Sequence, residues 1–432
     1  MYTFTSKIKL VAIICMIVGL LGIGYSFIST PKTIEQVKEY VQEHEETVHY
    51  ELQEGAQVQA HHHDEAHYEH ILHQLSNKPW AGVYVAALFF LLISLGVLAF
   101  YAINRAAQAG WSPILFRVME GITGYLPIGG LIFFILLVLT GLHFNHLFIW
   151  MDPEVVKHDE LIQGKQGFLN VPGFLIRSAI YLGGWVAYRF ITRRLSIAQD
   201  NASDNRPFIK AFKWSAAFLV FFLVTESMMS WDWIMSVDPH WFSTLFGWYV
   251  FSSLITSAIA TIILVTITLK SQGYLANVND SHLHDLAKYL FGFSIFWTYL
   301  WFSQYLLYWY SNIPEEIVYF ITRLNDYEPI ILGMLAINFL APLLILVDSD
   351  IKRKPFVVGT MAVVILFGHY LDFYNMIMPA TIGDQWSIGV GEICSILFFL
   401  GLFIYIVFAS LTKAPLVEKR HPLMGESEHF HY

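Results

Sequence analysis

Charge and cysteine are both scarce in this chain. Only 14% of its 432 residues are Asp, Glu, Lys or Arg, against about 25% in an ordinary soluble domain. That shortage excludes a soluble globular enzyme. Two cysteines, Cys15 and Cys394, cannot build a disulfide framework, a four-cysteine zinc site or a cysteine-held iron–sulfur cluster. Both lie inside apolar runs, so they indicate no redox compartment. A glycine-rich phosphate loop, a serine nucleophile elbow and a zinc-protease motif are also missing. Nothing in the chain points to a nucleic-acid partner. The net charge of −9 has no meaning until the charges are placed on loops.

What the sequence has in quantity is apolar surface: 56% hydrophobic and 16% aromatic residues. Apolar runs near 20 residues recur along its whole length. Ten candidate membrane helices follow: 10–28, 80–104, 125–149, 172–192, 208–230, 244–269, 286–308, 329–347, 355–377 and 388–411. Each is long enough to cross about 30 Å of hydrocarbon. Backbone groups in lipid must pair internally, so these runs read as helices; a barrel would show short alternating strands. The first span follows Lys7 and Lys9 and has the look of a signal peptide, but no small-residue cleavage site follows it, so it reads as an uncleaved span.

Basic residues set the orientation. Lys32, Lys38, Lys78, Lys157, Lys165, Arg177 and Arg323 are the only ones on the face that holds the long loop 30–79; the rest fall on the face that holds both termini. The positive-inside rule then puts both termini in the cytoplasm. Five segments result: a first helix (1–29), an extracytoplasmic His-rich loop (30–79), two helical units (80–230 and 231–377), and a tenth helix with a cytoplasmic tail (378–432).

The two units share a faint repeat. Span three ends in Trp150, Pro153 and Glu154, and span seven in Trp309, Pro314 and Glu315. Asp232 near the end of span five precedes Pro239 by seven residues, and Asp372 in span nine precedes Pro379 by seven. Spans 2–5 therefore match spans 6–9 as a parallel repeat, which predicts an all-α membrane protein of two four-helix bundles with two flanking helices.

Ionisable groups inside spans are costly and rare, so each is a candidate for function. Arg177, Arg189, Lys210, Lys213 and Lys288 lie near span ends, where they can snorkel to the headgroups. His143 and His146 in span three, Glu226 in span five, His369 and Asp372 in span nine and Glu392 in span ten remain, with Asp232 just past span five. Gln304 and Tyr305 in span seven add hydrogen-bonding capacity. All fall toward the outer half of the membrane. His143 with His146, and His369 with Asp372, are three apart and would share a helix face. An Asp–His pair can pass protons near neutral pH. The set suits a proton-carrying, lipid-soluble substrate such as a quinol; the plain alternative is polar glue between helices. A single haem between His369 and His143 or His146 is a further alternative. In the loop, His61, His62, His63, His67, His70 and His73 cluster, and His63, His67 and His70 could line one helical face as metal ligands; a solvated amphipathic helix is the bland reading. Ser215, Ser294, Thr140 and Asn338 offer only hydroxyls and an amide toward the inner half, so no full proton path is legible. A secondary transporter, with Pro342 in span eight as its main interruption, and a structural scaffold stay open as other functions.

Three segments resemble a known family. The stretch from Ser230 to Tyr249 resembles the signature of the polysulfide reductase membrane-subunit (NrfD-like) family. Phe302 to Glu316 and Gly368 to Pro379 look like its branch in alternative complex III, a bacterial quinol:cytochrome c oxidoreductase. The resemblance implies two four-helix bundles plus two helices, in a bacterial inner membrane. It implies a sister ten-span subunit, an iron–sulfur subunit, cytochrome c subunits and small membrane subunits as partners, with lipids around them. It implies a quinol, menaquinol among the candidates, oxidised near the outer surface, and no redox cofactor held by this chain. The sister subunit is the better candidate for the quinol site, and the family pattern carries over to His143, His146 and Asp152 only loosely.

Overall fold

The computed structural model describes residues 2–51 and 65–431. It is helical, with no strand among the described residues. In chain order the helices are α1 Ser6–Ser29, α2 Ile34–Glu51, α3 Glu65–Ala106, α4 Phe116–Ile122, α5 Leu126–Gly141, α6 Pro153–His158, α7 Glu160–Lys165, α8 Val171–Asn201, α9 Arg206–Trp233, α10 Phe246–Ser271, α11 Asp280–Ser311, α12 Pro314–Asp326, α13 Glu328–Leu335, α14 Ala341–Ile345, α15 Pro355–Ile382, α16 Val390–Leu411 and α17 Met424–Glu428. A π-helical turn, Ala336–Leu340, joins α13 to α14.

Among the described residues, eight helical runs are long and apolar enough to cross a membrane: Ser6–Ser29, His67–Ala106, Pro113–Gly141, Arg206–Val237, Phe246–Ser271, Glu328–Ile345, Pro355–Ile382 and Val390–Leu411. The expected fourth and seventh spans are also helices, α8 with 31 residues and α11 with 32. Arginines in α8 and polar and aromatic side chains in α11 make both less apolar.

α3 and α10 lie at the centre of the packing. α3 contacts α5, α9, α10, α15 and α16, while α10 contacts α9, α11 and α15. Lipid tails offer no hydrophobic drive for helices to associate, so close backbone approach decides such contacts. Gly96 provides it on α3: a Cβ there would lie 2.5 Å from the Leu254 carbonyl oxygen of α10. α1 packs chiefly on α16, where a Cβ at Gly19 would lie 2.4 Å from the Phe398 backbone nitrogen.

The two ends of the molecule differ. At one end the C-terminal tail is strapped down. The tail after α16 lies across α3, α8 and α11: Glu418 pairs with Arg105 and accepts from Ser196 Oγ at 2.7 Å, Gln199 donates to the Arg420 carbonyl at 3.1 Å, and Asn279 donates to the Phe430 carbonyl at 2.7 Å. Beside it Glu120 pairs with Arg193, and Arg117 with Asp200 at 2.8 Å. At the other end, part of the expected loop 30–79 is helical. α2 packs its Val37 against Ile71 and Leu75 of the first turns of α3, as an amphipathic helix would.

One expected span lies earlier in the chain than its hydropathy suggests: the helical run is Pro113–Gly141, against the expected 125–149. α5 ends at Gly141, not near 149. His143 takes φ 62, its N–H donates to the Thr140 carbonyl at 2.9 Å, and the Phe144 N–H reaches back to the Leu139 carbonyl at 3.1 Å. These two bonds form the Schellman closure of a helix. His143 stands at the position usually given to glycine, so the sequence carries no stop signal there.

Candidate functional site

Two aspartates are wholly buried at the α2 end of the helices, one on α9 and one on α15. Asp232 is the first. It accepts from Arg177 Nε at 2.9 Å, Arg177 Nη2 at 2.6 Å and the Tyr181 hydroxyl at 2.8 Å, all from α8. The guanidinium also stacks over the Phe168 ring, 3.9 Å from its centroid. Sequence position alone suggests that Arg177 snorkels to the headgroups; it turns to the carboxylate instead. A bidentate charged pair compensates both desolvated groups better than a partial retreat to the interface.

Asp372 is the second, and no cation pairs with it among the described residues. Its carboxylate accepts from the Tyr249 hydroxyl, from Ser253 Oγ at 2.6 Å and from Trp297 Nε1 at 2.8 Å. His369, one turn back on α15, places Nδ1 2.7 Å from Ser253 Oγ and 3.8 Å from the carboxylate. A serine hydroxyl has one proton to donate. With that proton on Asp372, Ser253 must accept from His369 Nδ1–H. This fixes the neutral imidazole as the Nδ1–H tautomer with Nε2 as acceptor, and Nε2 is buried without a partner among the described residues. The chain of contacts runs His369, Ser253, Asp372.

The two aspartates occupy related settings. Gly82-Val83-Tyr84-Val85 on α3 parallels Gly247-Trp248-Tyr249-Val250 on α10. Both tyrosines are buried, and each points its hydroxyl at the matching helix: Tyr84 at the Trp233 carbonyl (2.7 Å) beside Asp232, and Tyr249 at Asp372. A basic residue also grips the backbone beyond each aspartate. Lys165 Nζ donates to the Pro239 carbonyl at 2.5 Å. Arg323, buried on α12, donates from Nε to the Asn375 carbonyl at 3.0 Å and from Nη2 to Met376 at 3.2 Å. Pro379 explains the second grip, because a proline in α15 has no N–H for the carbonyl four residues earlier, which is Asn375. Sequence reasoning misses Tyr84, Tyr181, Tyr249, Ser253 and Trp297. The repeated Gly-x-Tyr-Val is the signal available for two of them.

The other expected residues scatter. His143 is exposed at the end of α5. His146 is exposed too, its ring edge-on to His73 at 5.8 Å and its Nδ1 3.8 Å from Asp152. So the two histidines lie in a loop and share no helix face, and neither stands on a helix facing His369, as the haem alternative supposes. Asp152 caps α6 by accepting the Glu154 N–H at 2.9 Å, a structural role. Glu226 is buried on α9 with Oε1 unpartnered among the described residues. Gln304 is buried with its amide nitrogen unpartnered among the described residues, and Tyr305 stacks on Trp301 at 5.7 Å. Glu392 accepts the Gly389 N–H at 2.9 Å in the first turn of α16. His63 lies outside the described residues. His67 and His70 are exposed, His70 hydrogen-bonds Gln74 at 3.0 Å, and among the described residues no group of three His, Cys, Asp or Glu is placed to hold a metal ion.

Asn338 is buried in the π-helical turn with both amide atoms unpartnered among the described residues. The chain stays helical from this turn across Pro342. The hydroxyls along α10 do not form a wire. Ser252, Thr256, Ser257 and Thr261 each donate to a carbonyl three or four residues earlier in their own helix. Ser215, Ser294 and Thr140 do the same. No family model matches the chain, and no curated protein matches it significantly.

Proposed function

We propose that the chain is a ten-span membrane subunit of a quinol:cytochrome c oxidoreductase of the alternative complex III type, most like the second of the two NrfD-like members such a complex contains. In this reading α3, α5, α8 and α9 form one four-helix bundle, and α10, α11, α13–α14 and α15 the other. α1 and α16 flank them. Both termini face the cytoplasm of a bacterial inner membrane. Partners are a sister ten-span subunit, an iron–sulfur subunit, cytochrome c subunits and small membrane subunits. The quinol is the substrate of the whole assembly, and this chain contributes proton handling without a redox centre of its own.

The observation that carries the reading is the setting of Asp372. A carboxylate buried in a membrane protein is expensive unless compensated, and Asp372 has three neutral donors, a histidine and no cation among the described residues. That arrangement links His369 to the carboxylate through one serine hydroxyl, a hydrogen-bonded route that a proton can follow. Uptake of a proton at His369 Nε2 would release the Nδ1 proton to Ser253 Oγ, whose own hydroxyl proton passes to the Asp372 carboxylate. Orphaned polar atoms nearby on the same helix, the Tyr370 and Tyr374 hydroxyls and Asn375 Oδ1, are groups that water commonly satisfies in protein interiors. A transporter would favour broken helices at the midplane, and the continuous helix across Pro342 gives that reading no support. Purification by an affinity tag on this chain tests the proposal. Iron–sulfur and c-type cytochrome subunits with quinol-dependent cytochrome c reduction are expected to come with it. Recovery of the chain without any cytochrome from membranes that contain it would overturn the reading.

A further inference from the structure

A cleft outside the aspartate sites opens where α1, α2, α3 and α16 meet. It encloses about 210 Å³. Lys78 enters it from α3 and Glu392 from α16. Glu392 is 4% exposed, yet no ion pair within 4.0 Å joins it to Lys78. Its Oε2 takes the Gly389 N–H, and Oε1 takes no hydrogen bond from the described residues. Lys78 Nζ donates to the Gln385 carbonyl at 3.2 Å and to Ser387 Oγ at 2.6 Å, which leaves one of three ammonium donors unused. Ser26, Ser29 and Thr30 give the cleft a polar wall. Tyr25 and Val390 of its lining, with Ile28 and Ile393, are exposed on the two flanking helices.

We propose that this cleft binds the headgroup of a phospholipid bearing a primary amine, of the phosphatidylethanolamine class. The ammonium meets Glu392, the phosphate meets Lys78, and the acyl chains lie on the exposed apolar face of α1 and α16. The ligand is argued from charge order. A buried carboxylate and a lysine held apart across a cleft match a zwitterion whose two charges are separated by a short linker. A headgroup with negative charge alone would leave Glu392 uncompensated. A choline headgroup brings a cation with no N–H to donate to it.

Native mass spectrometry of the purified full-length protein, exchanged into dioleoyl-phosphatidylethanolamine or dioleoyl-phosphatidylcholine nanodiscs, tests the assignment. The wild type is expected to retain one ethanolamine lipid in preference to choline lipid. Glu392→Gln and Lys78→Met should each weaken retention by about tenfold, the loss of one charge-assisted hydrogen bond. Lys78→Arg keeps the cation and should retain the lipid, which separates lost binding from misfolding. Equal retention of the two lipids overturns the proposal. So does retention that neither charge substitution changes, which would leave the cleft to a partner chain or to solvent. The readout uses no turnover, so it stands or falls apart from the proposed electron-transfer role.

Discussion

Asp232 and Asp372 sit in related places on α9 and α15, each near a tyrosine from a Gly-x-Tyr-Val turn, yet their charges are treated differently. Asp232 has Arg177 at 2.6 Å. Asp372 has Tyr249, Ser253 and Trp297, none of which carries charge. One setting fixes a charge and so holds α8 to α9. The other surrounds the carboxylate with neutral donors, with His369 Nδ1 3.8 Å away. Similar surroundings thus give a charged clamp at Asp232 and, at Asp372, a carboxylate with no cation among the described residues.

The clamp should be the easiest to break. Arg177→Met leaves Asp232 buried and unpaired, which costs about 3–5 kcal/mol. Folded protein recovered from membranes should fall sharply, and the double variant Arg177→Met with Asp232→Met should recover most of it. Recovery of the single variant at wild-type yield would mean that the pair is dispensable. Asp372→Asn should leave folding nearly intact, because asparagine keeps the shape and can still accept from Ser253 and Trp297. It should lower quinol:cytochrome c turnover per assembled complex by about tenfold or more, the scale of a lost proton-transfer group. Unchanged turnover across pH, with normal assembly, would reduce Asp372 to packing.

The tyrosines sharpen the comparison further. Tyr249→Phe removes a donor to a buried carboxyl and should cost about 1–3 kcal/mol, whereas Tyr84→Phe gives up a bond to a backbone carbonyl and should cost about 1 kcal/mol. Thermal denaturation in detergent would rank them, and the reverse order would deny the special place of Asp372.

The smallest effect lies at the opposite end of the molecule, in the tail. Burial, and then Arg105, pull the His421 imidazole down to about 3 from 6.5, while burial raises the neighbouring Glu418 carboxyl, whose Oε2 lies 3.9 Å from the ring. A base held neutral when docked favours the docked tail above pH about 6.5, and that contribution is lost as pH falls from there toward about 3. Glu418, with its carboxyl raised, acts with the opposite sign. The wild-type tail should become more open to protease over that window, and His421→Phe, which keeps the contact with Phe116 and Phe208, should flatten the change. Identical pH profiles would show that His421 does not set it.

Most helices are legible from hydropathy because a span needs a long apolar run, and few other structures produce one. The end of α5 is not legible in that way, because His143 closes the helix without glycine or proline. Candidate residues emerge from asking which ionisable groups lie in apolar runs, a rule that picks out Asp372, His369 and Glu226. The same rule sets Arg177 aside, since sequence position cannot tell a snorkelling arginine from one turned inward. Tyrosine, serine and tryptophan are common in membrane helices, and only the convergence of Tyr249, Ser253 and Trp297 on one carboxylate from α10 and α11 marks them.

The central proposal is that Asp372 takes part in proton transfer while Asp232 serves only as a clamp for Arg177. Infrared difference spectra of the assembled complex, recorded between its quinol-reduced and oxidised states, report this directly through the carbonyl stretch of a protonated carboxylic acid. The account predicts such a band, lost in Asp372→Asn. Because Asp232→Asn strips Arg177 of its partner, any folded fraction of that variant should keep the band. A carboxylic acid band that Asp372→Asn leaves in place, or one that disappears with Asp232→Asn instead, would contradict it.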